Sequence, residues 1–342
     1  MRIAVLTGGG DCPGLNAVIR AVVRRGERHY EDVILGSRDG WRGLLDRDLV
    51  RLTVDDLRGT LSRGGTVLGT TRTNPFSVEN GVERVRATID AEAIDAVISI
   101  GGEGTLSCTN EFHKLGVPVV GVPKTIDNDI GITERTFGFD TAVTIATEAI
   151  DRLHTTAESH NRVMVVEVMG RHVGHIATWA GIAGGATRTL IPEEPFDIDE
   201  VCASLSRRHL AGRHASIVVV AEGAKPIPDT MEMPDETRDE YGHIRLGGIA
   251  NRVAEEIEKR TGFETRVTVL GYVQRGGTPT PLDRVLSTRF GVAAIDAVHD
   301  QAFGSMVAIQ NDHIITVPLS EAVAELKFVR PDLWQVAKQF FA

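Results

Sequence analysis

The sequence predicts an α/β protein built on parallel sheets. Short apolar runs rich in Val and Ile alternate with amphipathic stretches along its 342 residues, which is typical of parallel strands covered by helices. Glycine is abundant, at 36 residues, whereas aromatic residues make up only 5%. Clusters of glycine and polar residues repeatedly follow the apolar runs, and that position is where open α/β sheets bind ligands.

The apolar runs are predicted to be strands and the amphipathic stretches helices. In the first helix, Val18, Ile19, Val22 and Val23 fall on one face. Residues 224–245 are polar and rich in proline, so they are predicted to form an exposed excursion. In chain order the predicted elements are strand Ile3–Leu6, helix Leu15–His29, strand Ile94–Ile100, strand Val117–Val122, helix Thr141–His154, and strands Val163–Val168, Ile217–Val220 and Val267–Leu270.

The composition bounds the class of protein. Hydrophobic residues make up 42% and charged residues 25%, as is ordinary for a globular chain with room for two domains. The net charge of −10 argues against nucleic acid as the main partner, although a local arginine cluster can still bind an anionic substrate. Three scattered cysteines predict a reduced, cytoplasmic setting. No apolar run approaches the roughly 18 residues of a membrane span, so no membrane partner is expected.

A glycine-rich loop joins the first predicted strand to the first helix. It reads Thr-Gly-Gly-Gly-Asp-Cys-Pro-Gly-Leu-Asn over residues 7–16. Glycines let backbone amides approach a phosphate, and the amino end of a helix attracts an anion. The loop lacks the Lys-Ser/Thr pair of a Walker A motif, and Pro13 replaces the third glycine of a dinucleotide fingerprint. Phosphate binding and simple strand–helix packing are both open interpretations here.

The second predicted strand ends in a similar turn, Gly-Gly-Glu-Gly-Thr at residues 101–105. The Thr105 hydroxyl is a candidate donor to a phosphate. Glu103 is the candidate ligand for Mg²⁺, the one cofactor expected, because this ion prefers carboxylate and phosphate oxygens. Similar glycine–acid–glycine turns also occur in NAD kinases and lipid kinases, so the turn alone does not decide the function.

The segment Pro-Lys-Thr-Ile-Asp-Asn-Asp at residues 123–129 follows the third predicted strand. Asp127 and Asp129 are two residues apart, so in an extended chain both carboxylates point to one side. Two such acids suit a general base for a substrate hydroxyl and a partner for a metal ion or proton. An Asx-rich turn that only closes a loop is the alternative interpretation.

Several arginines lie near predicted strand ends or in glycine turns. Their planar guanidinium groups suit phosphate oxygens, whereas any single arginine can equally serve in a surface salt bridge. Together they indicate a polyanionic substrate; the set is Arg72, Arg162, Arg171, Arg266 and Arg275.

In order and spacing these motifs resemble the 6-phosphofructokinase family of the bacterial, actinobacterial-like type. The resemblance covers nearly the whole chain and rests on residues 8–16, 63–72, 101–105, 123–129, 148–153, 166–171, 222 and 270–277. It implies two three-layer, parallel-sheet lobes with an active-site cleft between them. Residues 1–138 with 274–324 would bind the phosphoryl donor, and residues 139–273 with 325–342 the sugar phosphate.

The resemblance also implies an activity and an assembly. The family phosphorylates the 1-hydroxyl of fructose 6-phosphate, which gives fructose 1,6-bisphosphate in glycolysis. Active sites shared between subunits imply a homodimer or homotetramer. Arg162 and Arg266 resemble the residues that reach across from the neighbouring subunit.

Each remaining candidate residue receives a role from the resemblance. Asp127 would be the general base; Thr125 and Asp129 would support the transferring phosphoryl group and its metal, with Asp129 on the substrate side. Positive charge near that group would come from Arg72, Lys124 and Arg171. The sugar phosphate would be held by Met169, Gly170, Glu222, Tyr272 and Arg275, and Tyr272 stands where many bacterial members have histidine. The donor site would comprise Gly10, Trp41, Arg72, Gly102, Gly104 and Thr105.

Members of this family use either ATP or pyrophosphate, and two residues bear on the choice. Gly104 resembles the ATP type, because pyrophosphate enzymes typically carry an aspartate there that blocks the room of an α-phosphate. Lys124 resembles the pyrophosphate type, where ATP enzymes often have glycine. A missing block permits ATP, whereas an added cation can coexist with it. We therefore expect ATP as the donor, with reversible pyrophosphate-dependent transfer as the alternative.

Two other functions explain less of the sequence. An NAD kinase is suggested by residues 101–105 alone and leaves residues 123–129 unexplained. A non-catalytic sugar-phosphate-binding subunit conflicts with the presence of Asp127, Arg171 and Glu222 together.

Regulation is a separate question. Arg20 and Arg24 match basic positions of the bacterial effector site. Val54, His154 and Thr187 stand where regulated bacterial enzymes carry arginine, arginine and glutamate. These replacements weaken the expectation of control by ADP and phosphoenolpyruvate.

Overall fold

The computed structural model describes residues 1–231 and 247–341. The chain divides into two compact units. Unit 1 comprises residues 1–141 and 275–327, and unit 2 comprises residues 142–274 and 328–342. The assignment of phosphoryl donor to one unit and sugar to the other stays a prediction.

Strands and helices alternate along the described chain. The strands are β1 Arg2–Thr7, β2 Val33–Ser37, β3 Leu49–Leu52, β4 Ala96–Gly101, β5 Val119–Pro123, β6 Val163–Val168, β7 Arg188–Leu190, β8 Ser216–Ala221, β9 Thr265–Val269, β10 Ser305–Gln310 and β11 His313–Pro318. The α-helices are α1 Leu15–Arg25, α2 Trp41–Asp46, α3 Gly81–Ala91, α4 Glu103–Lys114, α5 Phe139–His160, α6 His175–Ala183, α7 Ile198–Leu210, α8 Ile249–Thr261, α9 Pro281–His299, α10 Leu319–Ala322 and α11 Pro331–Lys338.

Unit 1 is organised on a seven-stranded sheet in the order β11-β10-β5-β4-β1-β2-β3. Its interior strands are parallel, with Ala4 of β1 opposite Val97 of β4 and Leu35 of β2. The edge strands β3 and β11 run antiparallel to their neighbours. Strands β1, β4 and β5 are buried along their whole length except at Arg2, which explains their continuous apolar runs.

Helix α1 buries the predicted face, since Val18, Ile19, Val22 and Val23 are all buried. It ends at Arg25 and continues as a π-helical turn over Gly26–Tyr30. The helix is therefore shorter than the predicted span of 15–29, although the chain remains helical in a wider form.

Unit 2 is organised on a four-stranded sheet in the order β7-β8-β6-β9, in which every pair is parallel. Strands β6 and β8 are buried at every position. Helices α7 and α8 pack against the sheet with the apolar faces that hold Val201, Leu205, Val253 and Ile257. The sheet is the all-parallel, Val-rich type that the sequence predicts.

The predicted α/β class and the predicted strands are confirmed, with boundaries shifted by a few residues. Strands β2, β3, β7, β10 and β11 were not predicted. The prediction that residues 224–245 form an exposed excursion is wrong at Ala224 and Met231, which are buried in the core of unit 2. Residues 232–245 of this segment lie outside the described residues. Within residues 1–231 and 247–341, no helix combines the length and apolarity needed to cross a membrane.

Candidate active site

In unit 1 the loops after β1, β4 and β5 meet at one edge of the sheet. The three strands are parallel neighbours, so their carboxyl ends lie side by side. From β1 the chain continues to β2 on one side, whereas β4 flanks β1 on the other. This reversal marks the point at which open α/β sheets bind ligands.

Thr105 occupies a notch formed by two glycines. A Cβ added to Gly8 would lie 2.6 Å from Thr105 Oγ1, and one added to Gly101 would lie 2.3 Å from Thr105 Cβ. Gly8 N donates to Ile100 O at 2.9 Å, which holds the glycine loop against β4. The absence of side chains thus lets the Thr105 hydroxyl stand at the junction of both glycine-rich turns.

Two cations lie against Gly10 of the first loop. The buried Lys124 donates to the Gly10 carbonyl oxygen. A Cβ added to Gly10 would fall 2.0 Å from Arg275 Nη1, so the guanidinium lies directly against this glycine. Burial lowers the pKa of Lys124, and the charge of Arg275 lowers it further, whereas Asp127 is among the groups that raise it. Such crowded positive charge favours the binding of an anion.

The segment after β5 turns sharply between its two aspartates. Asn128 has a left-handed conformation, with φ +54°, that asparagine tolerates better than most residues. Asp127 N donates to Thr125 Oγ1 at 3.0 Å, and the Thr125 hydroxyl also interacts with Asp129. Thr125, Asp127 and Asp129 therefore form one compact group beside the glycine loops. The chain is not extended between the two aspartates, so the expectation that alternation points both carboxylates to one side is wrong here, and their roles stay predictions.

Glu103 and Asp129 are the carboxylates that fit a Mg²⁺ ion. Burial raises the pKa of Asp129, the charge of Glu103 raises it further, and Lys327 opposes both. Asp129 Oδ1 is buried without a hydrogen-bond partner among the described residues. Across residues 1–231 and 247–341, no three His, Cys, Asp or Glu side chains gather as a complete metal cage. One or two carboxylates completed by substrate phosphates are the usual protein contribution to a Mg²⁺ site.

The other predicted donor residues differ in their exposure. A Cβ added to Gly104 meets nothing within 4 Å, and one added to Gly102 comes no closer than 3.4 Å, to Lys124 O. Arg72 is exposed. Trp41 is only 2% exposed and its ring stacks on Phe112 at 4.6 Å. Contact between Trp41 and a nucleotide stays a prediction, and the buried ring leaves it little surface for such a contact.

Unit 2 brings most of the predicted sugar-site residues to the carboxyl ends of β6, β8 and β9, whereas Arg275 belongs to unit 1 and lies against Gly10 there. Glu222 N donates to Val168 O at 2.8 Å and Gly223 N to Gly170 O at 3.0 Å, so the turns after β6 and β8 are bonded to each other. Gly170 has φ +145°, and a Cβ there would lie 2.7 Å from Val173 O. Met169 N donates to Gln274 Oε1 at 3.3 Å. Met169, Gly170, Arg171 and Glu222 follow these strands directly.

Arg162 and Arg266 share one carboxylate that the sequence did not single out. Arg162 Nη2 lies 2.7 Å from Glu264 Oε1, and Arg266 pairs with the same oxygen. Both arginines lower the pKa of Glu264, Arg162 most strongly. The parallel register that sets Val163 opposite Thr265 brings these residues together, and that register is the signal that predicts the pairing. Tyr272 is 80% exposed.

The positions that resemble an effector site line two pockets. A cavity of about 280 Å³ in unit 1 is lined by Arg20, Arg24, Arg28, Arg58 and Val54. His154 and Thr187 line a second cavity, in unit 2, with the basic side chains Arg208, Arg213 and His214. Arg20, Arg24 and Arg28 recur every four residues, so they lie on one face of the chain as it leaves α1.

The chain is similar to known proteins of one family. Residues 2–298 match the family described as Phosphofructokinase. The chain is 57% identical to pyrophosphate–fructose 6-phosphate 1-phosphotransferase of Streptomyces coelicolor and 54% identical to ATP-dependent 6-phosphofructokinase of Mycobacterium leprae, with full coverage of both chains in each case.

A solved structure, phosphofructokinase of Pichia pastoris in the T-state, superposes with a TM-score of 0.84 at 33% identity; the match covers 99% of this chain and 36% of that longer chain. The protein belongs to the phosphofructokinase family.

Proposed function

We propose that the protein transfers the γ-phosphoryl group of ATP to the 1-hydroxyl of fructose 6-phosphate, giving fructose 1,6-bisphosphate and ADP. The observation that carries the proposal is the gathering of Thr125, Asp127 and Asp129 beside two glycine-rich turns at one sheet edge. A base, hydroxyl and amide donors, and cations are what phosphoryl transfer needs, because it depends chiefly on positioning and electrostatics.

In the proposed reaction, Asp127 accepts the proton of the sugar 1-hydroxyl. The hydroxyl oxygen forms a bond to the γ-phosphorus as the bond from that phosphorus to the β–γ bridging oxygen breaks, and ADP leaves with the released electron pair. Lys124, Arg72 and Arg171 stabilise the negative charge on the phosphoryl oxygens. Glu103 and Asp129 would hold Mg²⁺, which when bound neutralises part of the phosphate charge.

ATP is the proposed donor because of Gly104. The open space where a Cβ of residue 104 would lie leaves room for the α-phosphate of a nucleotide. Lys124 favours the second candidate, pyrophosphate, because it places a buried cation against the glycine loop. Its ammonium already donates to the Gly10 carbonyl oxygen, so its positive charge lies against the glycine loop with either donor. Relatives at nearly equal identity carry both donor names, so the residues decide the proposal.

Sugar binding is assigned to Met169, Gly170, Glu222, Tyr272 and Arg275, and a homo-oligomer with shared active sites is proposed from Arg162 and Arg266. Both arginines pair with one carboxylate, that of Glu264, which holds the two guanidinium groups close together. This arrangement supports a shared role for the two arginines. The three cysteines are buried and free, which supports a reducing, cytoplasmic location.

Product analysis tests the proposal. ³¹P NMR of the protein with fructose 6-phosphate, Mg²⁺ and ATP should show a new phosphomonoester on carbon 1. The Asp127→Ser variant should turn over at least about a thousandfold more slowly, because it lacks the base. Asp90→Ser, at an exposed position of α3, is the matched control and should behave as wild type. Near-normal turnover of Asp127→Ser would remove Asp127 from the mechanism.

A further inference from the structure

A lysine near the carboxyl end of the chain contacts the turn that carries the proposed base. Lys327 follows α10 and belongs to unit 1, although the sequence placed residues 325–342 with the sugar-binding part of the chain. Its ammonium donates to Asn128 Oδ1 at 2.8 Å, to Thr133 O at 2.8 Å and to Glu134 O at 3.0 Å. An ammonium has three hydrogens, and these three acceptors belong to the segment that follows β5.

The backbone of the same segment is bonded to the turn as well. Lys327 N donates to Asp129 O at 2.9 Å, and Leu326 forms an antiparallel bridge with Ile130. The fit is close, because a Cβ added to Gly131 would lie 3.0 Å from Glu325 O. A short stretch of strand-like pairing thus places the lysine against the turn.

Asn128 connects the lysine to the reacting groups. Its Oδ1 also accepts from Thr136 N at 3.0 Å, and Thr136 Oγ1 donates to Thr125 O at 2.8 Å. Asn128 is 5% exposed and holds the left-handed conformation between Asp127 and Asp129. Fixing its side chain therefore fixes the direction of the chain through both aspartates.

The groups around Lys327 act on its charge in opposite directions. Burial lowers the pKa of Lys327 to about 7, and Arg135 lowers it further, whereas Asp129 and Glu134 favour the charged form. In turn Lys327 opposes the rise in the pKa of Asp129 that burial causes. Removal of the lysine would leave the buried Asn128 side chain and the buried Thr133 carbonyl without this donor, whereas Glu134 is exposed and water can replace the lysine there.

We propose that Lys327 is a positioning residue for phosphoryl transfer: through Asn128 it holds the turn of residues 127–129 so that Asp127 presents its carboxylate to the substrate hydroxyl. The inference rests on the function proposed above. It gives the carboxyl-terminal segment a role in catalysis without contact with substrate.

The test compares Lys327→Met with Lys327→Arg and with the control Lys338→Met. The control removes a lysine that pairs with Glu194 in unit 2. Lys327→Met is expected to lower kcat by about tenfold or more with KM for fructose 6-phosphate changed by less than about threefold, because misplacement of a reacting group weakens the transition state selectively. Lys327→Arg, which keeps the charge and donors, should recover part of kcat.

Hydrogen–deuterium exchange supplies a readout independent of activity. The amides of residues 127–136 should exchange faster in Lys327→Met than in wild type, and those of β1 and β4 should not change. If Lys327→Met does not fold, Asn128→Gly takes its place, because glycine keeps the left-handed conformation and removes the acceptor. In that case loss of kcat in Asn128→Gly supports the proposal, and wild-type kcat overturns it.

The outcomes separate this inference from the proposed function. Wild-type protein inactive on fructose 6-phosphate with either donor would refute the proposed function. Active wild type together with a Lys327→Met variant of unchanged kcat and unchanged exchange would refute the positioning role alone.

Discussion

Replacing Gly104 by aspartate is expected to remove most activity with ATP and to leave the fold intact. Gly104 is the second residue of α4, and nothing lies within 4 Å of a Cβ built there. An acidic residue in the first turn of a helix interacts favourably with the helix dipole. The free energy of unfolding should therefore change by less than about 0.5 kcal/mol, as for other surface substitutions.

The expected loss follows from the charge of the new side chain. A carboxylate in the open space beside Gly104 would stand about 4 Å from an α-phosphate there, and two like charges at that distance repel by roughly 4 kcal/mol at an effective dielectric constant near 20. Since about 1.4 kcal/mol corresponds to a factor of ten, kcat/KM for ATP should fall roughly a thousandfold. Pyrophosphate has no third phosphate, so its use should fall much less.

The assay is the steady-state rate of fructose 1,6-bisphosphate formation with each donor. Gly104→Asn has nearly the same size without the charge, so it separates steric from electrostatic exclusion and should lose only about tenfold with ATP. An Asp variant that keeps its kcat/KM for ATP within about threefold of wild type would refute the role given to Gly104.

Three further substitutions test a buried carboxylate at the start of α9, the notch around Thr105 and the cation beside the glycine loop. Burial raises the pKa of Asp283 to about 6, so the folded state retains a proton that the unfolded state loses above about pH 4. The free energy of unfolding should therefore fall by roughly 3 kcal/mol as pH rises from about 4 to 6. Asp283→Asn should flatten this pH dependence in urea unfolding, and an unchanged dependence would exclude Asp283 as its source. Gly101→Ala would crowd Thr105 and should destabilise the protein by about 1–3 kcal/mol, measured by thermal unfolding, with a neutral effect contradicting the notch. Lys124→Met should lower kcat/KM at least about tenfold with either donor, and more with pyrophosphate; equal activity would leave Lys124 without a role in donor binding.

The parts of the fold predicted from sequence are those written in continuous apolar runs. Strands such as β4 and β6 are buried on both faces, so they appear in the sequence as runs of mostly apolar residues that predict a strand. The edge strand β11 is largely exposed and neither continuously apolar nor strictly alternating, and β7 has only three residues, so neither gives a strong local signal. Antiparallel edges on a parallel sheet depend on such short strands.

The same distinction holds for the candidate site. Thr105 and Asp127 were predicted because they directly follow strands whose carboxyl ends meet, so local sequence indicates their neighbourhood. Glu264 pairs with Arg162 across two strands as well as with its near neighbour Arg266, and Lys327 contacts Asn128, which is 199 residues away in the chain. A single lysine in a polar segment carries no periodicity that marks it, and the contact exists only once the chain is folded.

The central claim is that this protein phosphorylates fructose 6-phosphate with ATP. The most direct measurement is kcat/KM of the wild-type protein for ATP and for pyrophosphate, at saturating fructose 6-phosphate and Mg²⁺. The account predicts a preference for ATP of at least about a hundredfold, because nothing at Gly104 excludes the nucleotide. A preference for pyrophosphate would show that the cation at Lys124 outweighs the open space at Gly104, and would contradict the proposed donor.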